Sequence, residues 1–313
     1  MFERNQVVCV IMITYNHDKF IEKAIESVLM QKTNFAYEFI IEDDNSFDNT
    51  KQLCLKYQEK YPSVIKFKFN EKNIGFQSNF IKNFKDAKCK YAVYIEGDDY
   101  WIDENKLQKQ FDLMEAHPEV AFCYTNAYSF FDGNEEQREI LIKNKPGQNI
   151  FDLDYYLKND CFAMPTLTTF ARKDAFPDPV PEWLYTTFKL DWALDILYLQ
   201  KGKAAYLDEI TAMYRVHKGG VTSSTSVPKI VHSGIELIKN LDKHFNFKYH
   251  RFFGNNLWHY QQLSIYYFQK RFLFKGFYYF LRGFLQKPLK VLKDTYYLKT
   301  IYKVLFQGFK VFD

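Results

Sequence analysis

The chain has 313 residues, 47% hydrophobic and 26% charged, a globular balance that excludes a disordered chain; 12 glycines and 9 prolines are too few for collagen-like or low-complexity sequence. The formal net charge of +4 is unevenly divided: residues 1–229 hold 28 Lys and Arg against 34 Asp and Glu, and residues 230–313 hold 14 against 4, with 23 aromatics among 84 residues. An acidic first part followed by a basic, aromatic appendage points to an anionic partner for the appendage, and the acidic part argues against nucleic acid.

Residues 7–13 form a continuous apolar, β-branched run, the pattern of a strand buried on both faces. A polar turn at 14–18 precedes a helix over 19–31, with Phe20, Ala24, Ile25, Val28 and Leu29 at helical spacing. The pattern repeats as strand 38–41, polar loop 43–49 and helix 50–60, then as strand 65–69, loop 70–75 and helix 77–87. Strand 91–95 ends in Glu96-Gly97-Asp98-Asp99, helix 106–115 follows, and 120–125 is another strand. Residues 126–165 are less regular, with a turn at Asp132-Gly133-Asn134; 166–172 alternates like a strand, 174–182 is a proline-containing loop, 190–200 a helix and 204–214 a strand. Beyond Pro228 the chain reads as helical, with a break at Pro288. Strands alternating with helices imply βαβ units and a mostly parallel sheet, with ligands beyond the carboxyl ends of its strands. The expected domains are 1–228 and 229–313.

The five cysteines, Cys9, Cys54, Cys89, Cys123 and Cys161, form no CxxC pair and no zinc spacing, as expected of small buried hydrophobes in a reducing compartment. No run approaches the roughly 18 apolar residues of a membrane span, and the 7–13 run ends without a small-residue cleavage site. The expectation is a cytoplasmic protein.

Two acidic clusters sit at strand ends. Asp43-Asp44-Asn45-Ser46 is either a ligand-binding turn or a polar cap ahead of the helix start at Asp48-Asn49-Thr50. Glu96-Gly97-Asp98-Asp99 places three carboxylates around a glycine, which suits Mg²⁺ or Mn²⁺ shared with substrate phosphates; the plainer alternative is a charged turn. Tyr214-Arg215-Val216-His217-Lys218-Gly219-Gly220 can grip a diphosphate or be a solvated basic loop. Asp191, beside Trp192 at a helix start, is either a cap or a functional carboxylate.

The order of these elements resembles family 2 glycosyltransferases, whose catalytic domain is of the GT-A type. The matching stretches are Thr14-Tyr15-Asn16, Ile41-Glu42-Asp43-Asp44-Asn45-Ser46 with Asp48 and Thr50, Asn73-x-Gly75 with Asn79, and Glu96-Gly97-Asp98-Asp99-Tyr100-Trp101. Lys106-Leu107-Gln108-Lys109-Gln110, Asp191-Trp192 and Tyr214-Arg215-x-His217-x-Gly219-Gly220 look like a bacterial subgroup of that family. The resemblance covers about residues 6–225. It implies a GT-A, Rossmann-like fold, and an inverting, non-processive transfer of one sugar from a nucleotide sugar, a UDP-sugar in the first instance. The acceptor would be a hydroxyl of a glycan or lipid-linked glycan. Thr14, Tyr15, Asn16, Asp43, Asp44, Asn73, Glu96, Gly97, Asp98 and Arg215 would bind the donor. Asp98 and His217 would hold Mn²⁺ or Mg²⁺, and Asp191 would be the catalytic base. Trp101 and Trp192 would stack on sugar, or pack in the core. The alternatives are a nucleotidyltransferase, which would need a Gly-rich loop where Thr14-Tyr15-Asn16-His17-Asp18 stands, and a non-catalytic sugar-nucleotide-binding protein. A dehydrogenase is disfavoured by the lack of GxGxxG.

In the appendage, Arg271, Lys275 and Arg282 fall within about 40° on a helical wheel, with aromatics over much of the rest. That is the pattern of an amphipathic helix on an anionic membrane surface, which would make the protein peripheral on the inner face of the plasma membrane. The alternative is packing against protein, in a helical subdomain or a homo-oligomer.

Overall fold

The computed structural model describes residues 6–159, 164–308, 310 and 311. The chain divides into two compact units, residues 1–185 with 190–217, and residues 186–189 with 218–313. The division thus falls ahead of the expected boundary at 228, which lies in the first turn of a helix of the second unit.

The first unit opens with β1 (Gln6–Thr14), α1 (Ile21–Leu29), β2 (Tyr37–Asp43), α2 (Thr50–Lys60), β3 (Ile65–Phe69), α3 (Phe76–Asp86) and β4 (Cys89–Glu96). The order across the sheet is β3-β2-β1-β4, and all three pairings are parallel. Val8 to Met12 are without solvent exposure, as a strand covered on both faces requires. In α1 the residues Ile21, Ala24, Ile25 and Val28 are buried, an i, i+3, i+4, i+7 stripe facing the sheet.

The rest of the unit is β5 (Tyr100–Trp101), α4 (Lys106–Ala116), β6 (Val120–Phe131), β7 (Glu139–Ile140), β8 (Ile150–Phe151), α5 (Leu153–Lys158), β9 (Phe170–Arg172), α6 (Leu190–Lys201) and β10 (Lys203–Val216). Here the sheet is mixed. β9 runs antiparallel to β4 and β6, β10 is parallel to β6, and β5 is antiparallel to β10. The expectation of a mostly parallel sheet holds over β3-β2-β1-β4 and over β6 with β10, and the antiparallel pairings are those of the short strands β5, β7, β8 and β9. The strand expected over 166–172 is a 3₁₀ turn at Thr166–Thr168 followed by three strand residues. Cys9, Cys54 and Cys123 are buried free thiols and Cys89 is half-buried; Cys161 lies outside the described residues.

The second unit is helical: α7 (Val221–Ser224), α8 (Val227–His244), α9 (His250–Phe253), α10 (Leu257–Gln269), α11 (Leu273–Gln286), α12 (Pro288–Lys293) and α13 (Thr295–Phe306). α10 packs against α8, α11 and α13. At Gly276 of α11 a Cβ would lie 2.4 Å from the Phe268 ring, so glycine is what lets α11 close on α10. Leu257, Ile265, Phe268, Val291, Tyr297 and Val304 form one core cluster of this unit, with Phe280 and Phe284 packed against it, and Val231, Ile235, Tyr260 and Leu263 form another.

Candidate active site

The carboxyl ends of β2, β1 and β4 lie side by side. Thr14 is in register with Asp43, and Ile13 with Glu96. The turn after β4 comes close to the end of β1: a Cβ on Gly97 would lie 2.7 Å from Thr14 Oγ1 and 2.9 Å from Ile21 Cδ1. Glycine is required there because its backbone lies against another strand end.

Asp43 and Asp44 have different duties. Asp43 is buried, and its carboxylate accepts hydrogen bonds from the amide and hydroxyl of Ser46. Burial, with the neighbouring charges of Asp48 and Asp44, still leaves its carboxyl above the ordinary range. Asp44 faces the loop before α3. Its oxygens accept from Asn70 Nδ2 and from the amides of Ile74 and Gly75, each at 2.9 Å. Asn73 is exposed and accepts the Gly75 amide at 3.1 Å. In the 14–18 loop, Asn16 adopts a positive φ of 56°. Its amide donates to Ser46 Oγ and its side chain accepts from the Phe47 amide, which ties the ends of β1 and β2 together. Tyr15 is exposed and lies edge-on to Phe47, 6.2 Å between centroids; Phe47 is 84% exposed.

Three residues converge on one point. His217 Nε2 lies 3.0 Å from Asp98 Oδ2, and His17 Nε2 lies 3.6 Å from the same oxygen. One ligand atom from each of His17, Asp98 and His217 lies within 4.8 Å of the others. His17 is held from behind by Thr14 Oγ1 at 3.2 Å and by its own amide, which donates to Thr50 Oγ1. Burial would raise the Asp98 carboxyl, but the two histidines outweigh it and keep Asp98 below the usual carboxylate range. One carboxylate and two imidazoles suit a divalent cation with mixed O/N preference. The sequence reading named Asp98 and His217; it passed over His17, whose signal was its place in the loop after β1.

Around this point the remaining carboxyls are pushed upward. Burial, then the charges of Asp98 and Asp191, raise Glu96 to about 8. Asp99 is buried and raised well above its ordinary value, first by burial and then by Asp98 and Glu96. Asp191 is exposed in the first turn of α6, and its charge also raises the buried Asp195 one turn later, after burial itself. Its effect on Glu96 puts Asp191 within electrostatic reach of the acidic turn. Trp192 beside it is half-buried.

Two expected donor or acceptor contacts are replaced by structural ones. Arg215 is 8% exposed. Its Nε donates to the Asp98 carbonyl at 3.0 Å, its amide to Asp99 Oδ1 at 2.8 Å, and its Nη1 to Asp132 Oδ1 at 2.7 Å. The guanidinium also lies over the rings of Phe20 and Phe130. Arg215 therefore braces the Asp98 turn from beneath instead of facing a diphosphate. Trp101 is 1% exposed and donates its indole N–H to the Leu167 carbonyl at 2.9 Å, so it belongs to the core and does not stack on an acceptor.

The comparisons with known proteins give the family and the fold. The pattern of Glycosyl transferase family 2 matches residues 9–176. The chain belongs to this family. A glucosyltransferase of Escherichia coli, WfaP, named as UDP-Glc:alpha-D-GlcNAc-diphosphoundecaprenol beta-1,3-glucosyltransferase, is 28% identical over 70% of this chain and 81% of its own. The uncharacterized protein Rv1520 of Mycobacterium tuberculosis is 28% identical over 69% of this chain; the match spans about 60% of that relative's length. Among solved structures, S. aureus TarS 1–349 in complex with UDP-GlcNAc superposes with a TM-score of 0.56 at 18% identity, over 96% of this chain and 80% of its own. The mannosyltransferase PcManGT of Pyrobaculum calidifontis, in complex with GDP-Man and Mn²⁺, gives 0.57 at 13% identity, over 97% and 88%. The fold of this family 2 chain is GT-A.

Proposed function

We propose that this family 2 protein is a metal-dependent, inverting glycosyltransferase that moves one sugar from a UDP-sugar to a hydroxyl of a lipid-linked or other glycan. The observation that carries the reading is the meeting of His17, Asp98 and His217 at the strand ends. WfaP and TarS, by their names, use or bind uridine nucleotide sugars, and WfaP acts on a diphosphoundecaprenol-linked acceptor; both support the donor and acceptor classes.

Asp98, His217 and His17 would hold the cation, and two imidazoles in the set favour Mn²⁺ over Mg²⁺. When bound, the cation neutralises charge on the departing diphosphate, so no acid residue is needed there. The chain's own residues do the rest. Tyr15 and Phe47 flank the open side of the nucleoside site, with Asp43 and Asn73 at its edge. Asp44 and Asn16 hold the loops that shape it. Asp191 accepts the proton of the acceptor hydroxyl as its oxygen attacks the anomeric carbon and the bond to the diphosphate breaks on the opposite side. A general base of this kind is worth about 10²–10⁴ in rate.

The test is a panel of UDP- and GDP-sugars with Mn²⁺ and an undecaprenol-diphosphate acceptor, read by release of the nucleoside diphosphate. UDP release from one donor that depends on Mn²⁺ and on Asp191 supports the reading. Transfer that survives chelation, or that needs no Asp191, overturns it.

A further inference from the structure

The helices of the second unit build a core of their own, but α11 keeps a second apolar face that the unit does not cover. Phe274, Phe277, Tyr278, Leu281 and Leu285 are all exposed, Phe274 at 95% and Leu285 at 76%. At 100° per residue these five occupy an arc of about 100°, opposite Gly276 and Gly283, which are buried against α10. The face continues into α12, where Leu289 is 71% exposed. A helix packed on one side and apolar on the other is not explained by the unit's own folding.

The charges around this face are of one sign. Lys275 and Arg282 lie along one border of the α11 arc, and Lys287, Lys290 and Lys293 follow at the start of and along α12, all exposed; Arg271, expected on the same stripe, stands before the helix with a positive φ of 61° and donates to the Leu305 carbonyl. Residues 230–313 hold 14 Lys and Arg against 4 Asp and Glu. The occupant must be apolar at its centre and anionic at its edge. A second copy of this face would bring like charges together and be repelled, whereas a bilayer with anionic headgroups meets both demands. No helix among the described residues is long and apolar enough to cross a membrane, so contact along the helix side is the arrangement open to α11.

We propose that the outward face of α11, continued by α12, lies in the headgroup region of an anionic lipid bilayer, Phe274 and Leu285 entering the acyl boundary while the lysines and Arg282 meet phosphate. This goes beyond the transferase reading and does not depend on it.

The experiment uses the full chain and vesicles of phosphatidylcholine with or without phosphatidylglycerol, read by flotation. Binding is expected only with phosphatidylglycerol, and it should weaken as salt rises. Lys287→Glu with Lys290→Glu should lower the vesicle affinity by at least about tenfold, each surface charge being worth roughly fivefold. Phe274→Glu with Leu285→Glu should lower it by at least about tenfold. Both positions are exposed, and the melting temperature and UDP binding report whether the fold survives. Absence of flotation, or flotation unaltered by both double variants, overturns the proposal. A dimer in sedimentation that Phe274→Glu dissolves would assign the face to a second copy and overturn it too. Failure of UDP binding in the parent chain would count against the transferase reading alone.

Discussion

His217 Nε2 sits 3.0 Å from Asp98 Oδ2 although 119 residues separate them. The contact exists because β10 ends beside the turn that follows β4, and Arg215, two residues before His217, grips that turn by the Asp98 carbonyl. His217 and the brace of the Asp98 turn therefore arrive on one strand.

Asp98→Asn should abolish tight Mn²⁺ binding and nearly all transfer while leaving the melting temperature close to that of the parent. His17→Ala should weaken Mn²⁺ by about 10-fold or more, since it removes one of three ligands that the site offers. Calorimetric titration with Mn²⁺ checks both. A parent-like affinity in His17→Ala would remove that residue from the site.

Arg215→Lys keeps the charge but loses the planar fork. Partners that orient a metal ligand typically carry about 10–100-fold in metal affinity, and a drop of that size is expected here. The same loss in Asp132→Asn, not additive with Arg215→Lys, would show the two acting as one unit. If Arg215 contacted the donor instead, Asp132→Asn would be near neutral for Mn²⁺.

Asp191→Asn preserves size but removes the base. Turnover should fall by about 10²–10⁴, with the dissociation constant for UDP within about twofold. Parent-like turnover would leave Asp191 as a helix-start residue.

Gly97→Ala forces a methyl to 2.7 Å from Thr14 Oγ1. A strain of roughly 1–3 kcal/mol is expected, shared between a lower melting temperature and weaker UDP binding. Neither changing would show that the strand ends can move apart freely.

Lys106 is fully buried, donates to Gln110 Oε1 at 2.6 Å and lies over the Trp101 ring. Burial lowers its pKa to about 7 from 10.5. The unfolded chain then binds the extra proton between those values, so this residue makes stability rise with pH from about 7 to 10.5. Lys106→Met should flatten that rise. Melting curves of both proteins across this range decide the matter, and identical slopes would contradict the buried, neutral amine.

β1, β2 and β4 were readable because their strands are apolar on both faces, and β2 and β4 end in acid. The helix of α11 was readable as amphipathic. What the sequence could not show was direction. Arg215 reads as a phosphate ligand in a basic loop, yet Asp132, Phe20 and Phe130 draw it inward, and these lie far off in the chain. Trp101 follows an acidic turn and reads equally as a sugar-stacking or a core residue; the structure buries it, with its indole N–H donated to the Leu167 carbonyl. His17 stood in plain view, but a lone histidine in a polar loop acquires meaning only when β10 delivers His217 opposite.

Asp44 holds Asn70, Ile74 and Gly75 at once, so the loop before α3 is clamped at both ends while residues 71–73 between them stay exposed. For protein engineering this is a natural cassette. A library varied at 71–73, with 44, 70 and 75 left alone, would redraw the rim of the proposed nucleoside site without loosening the strands that carry it.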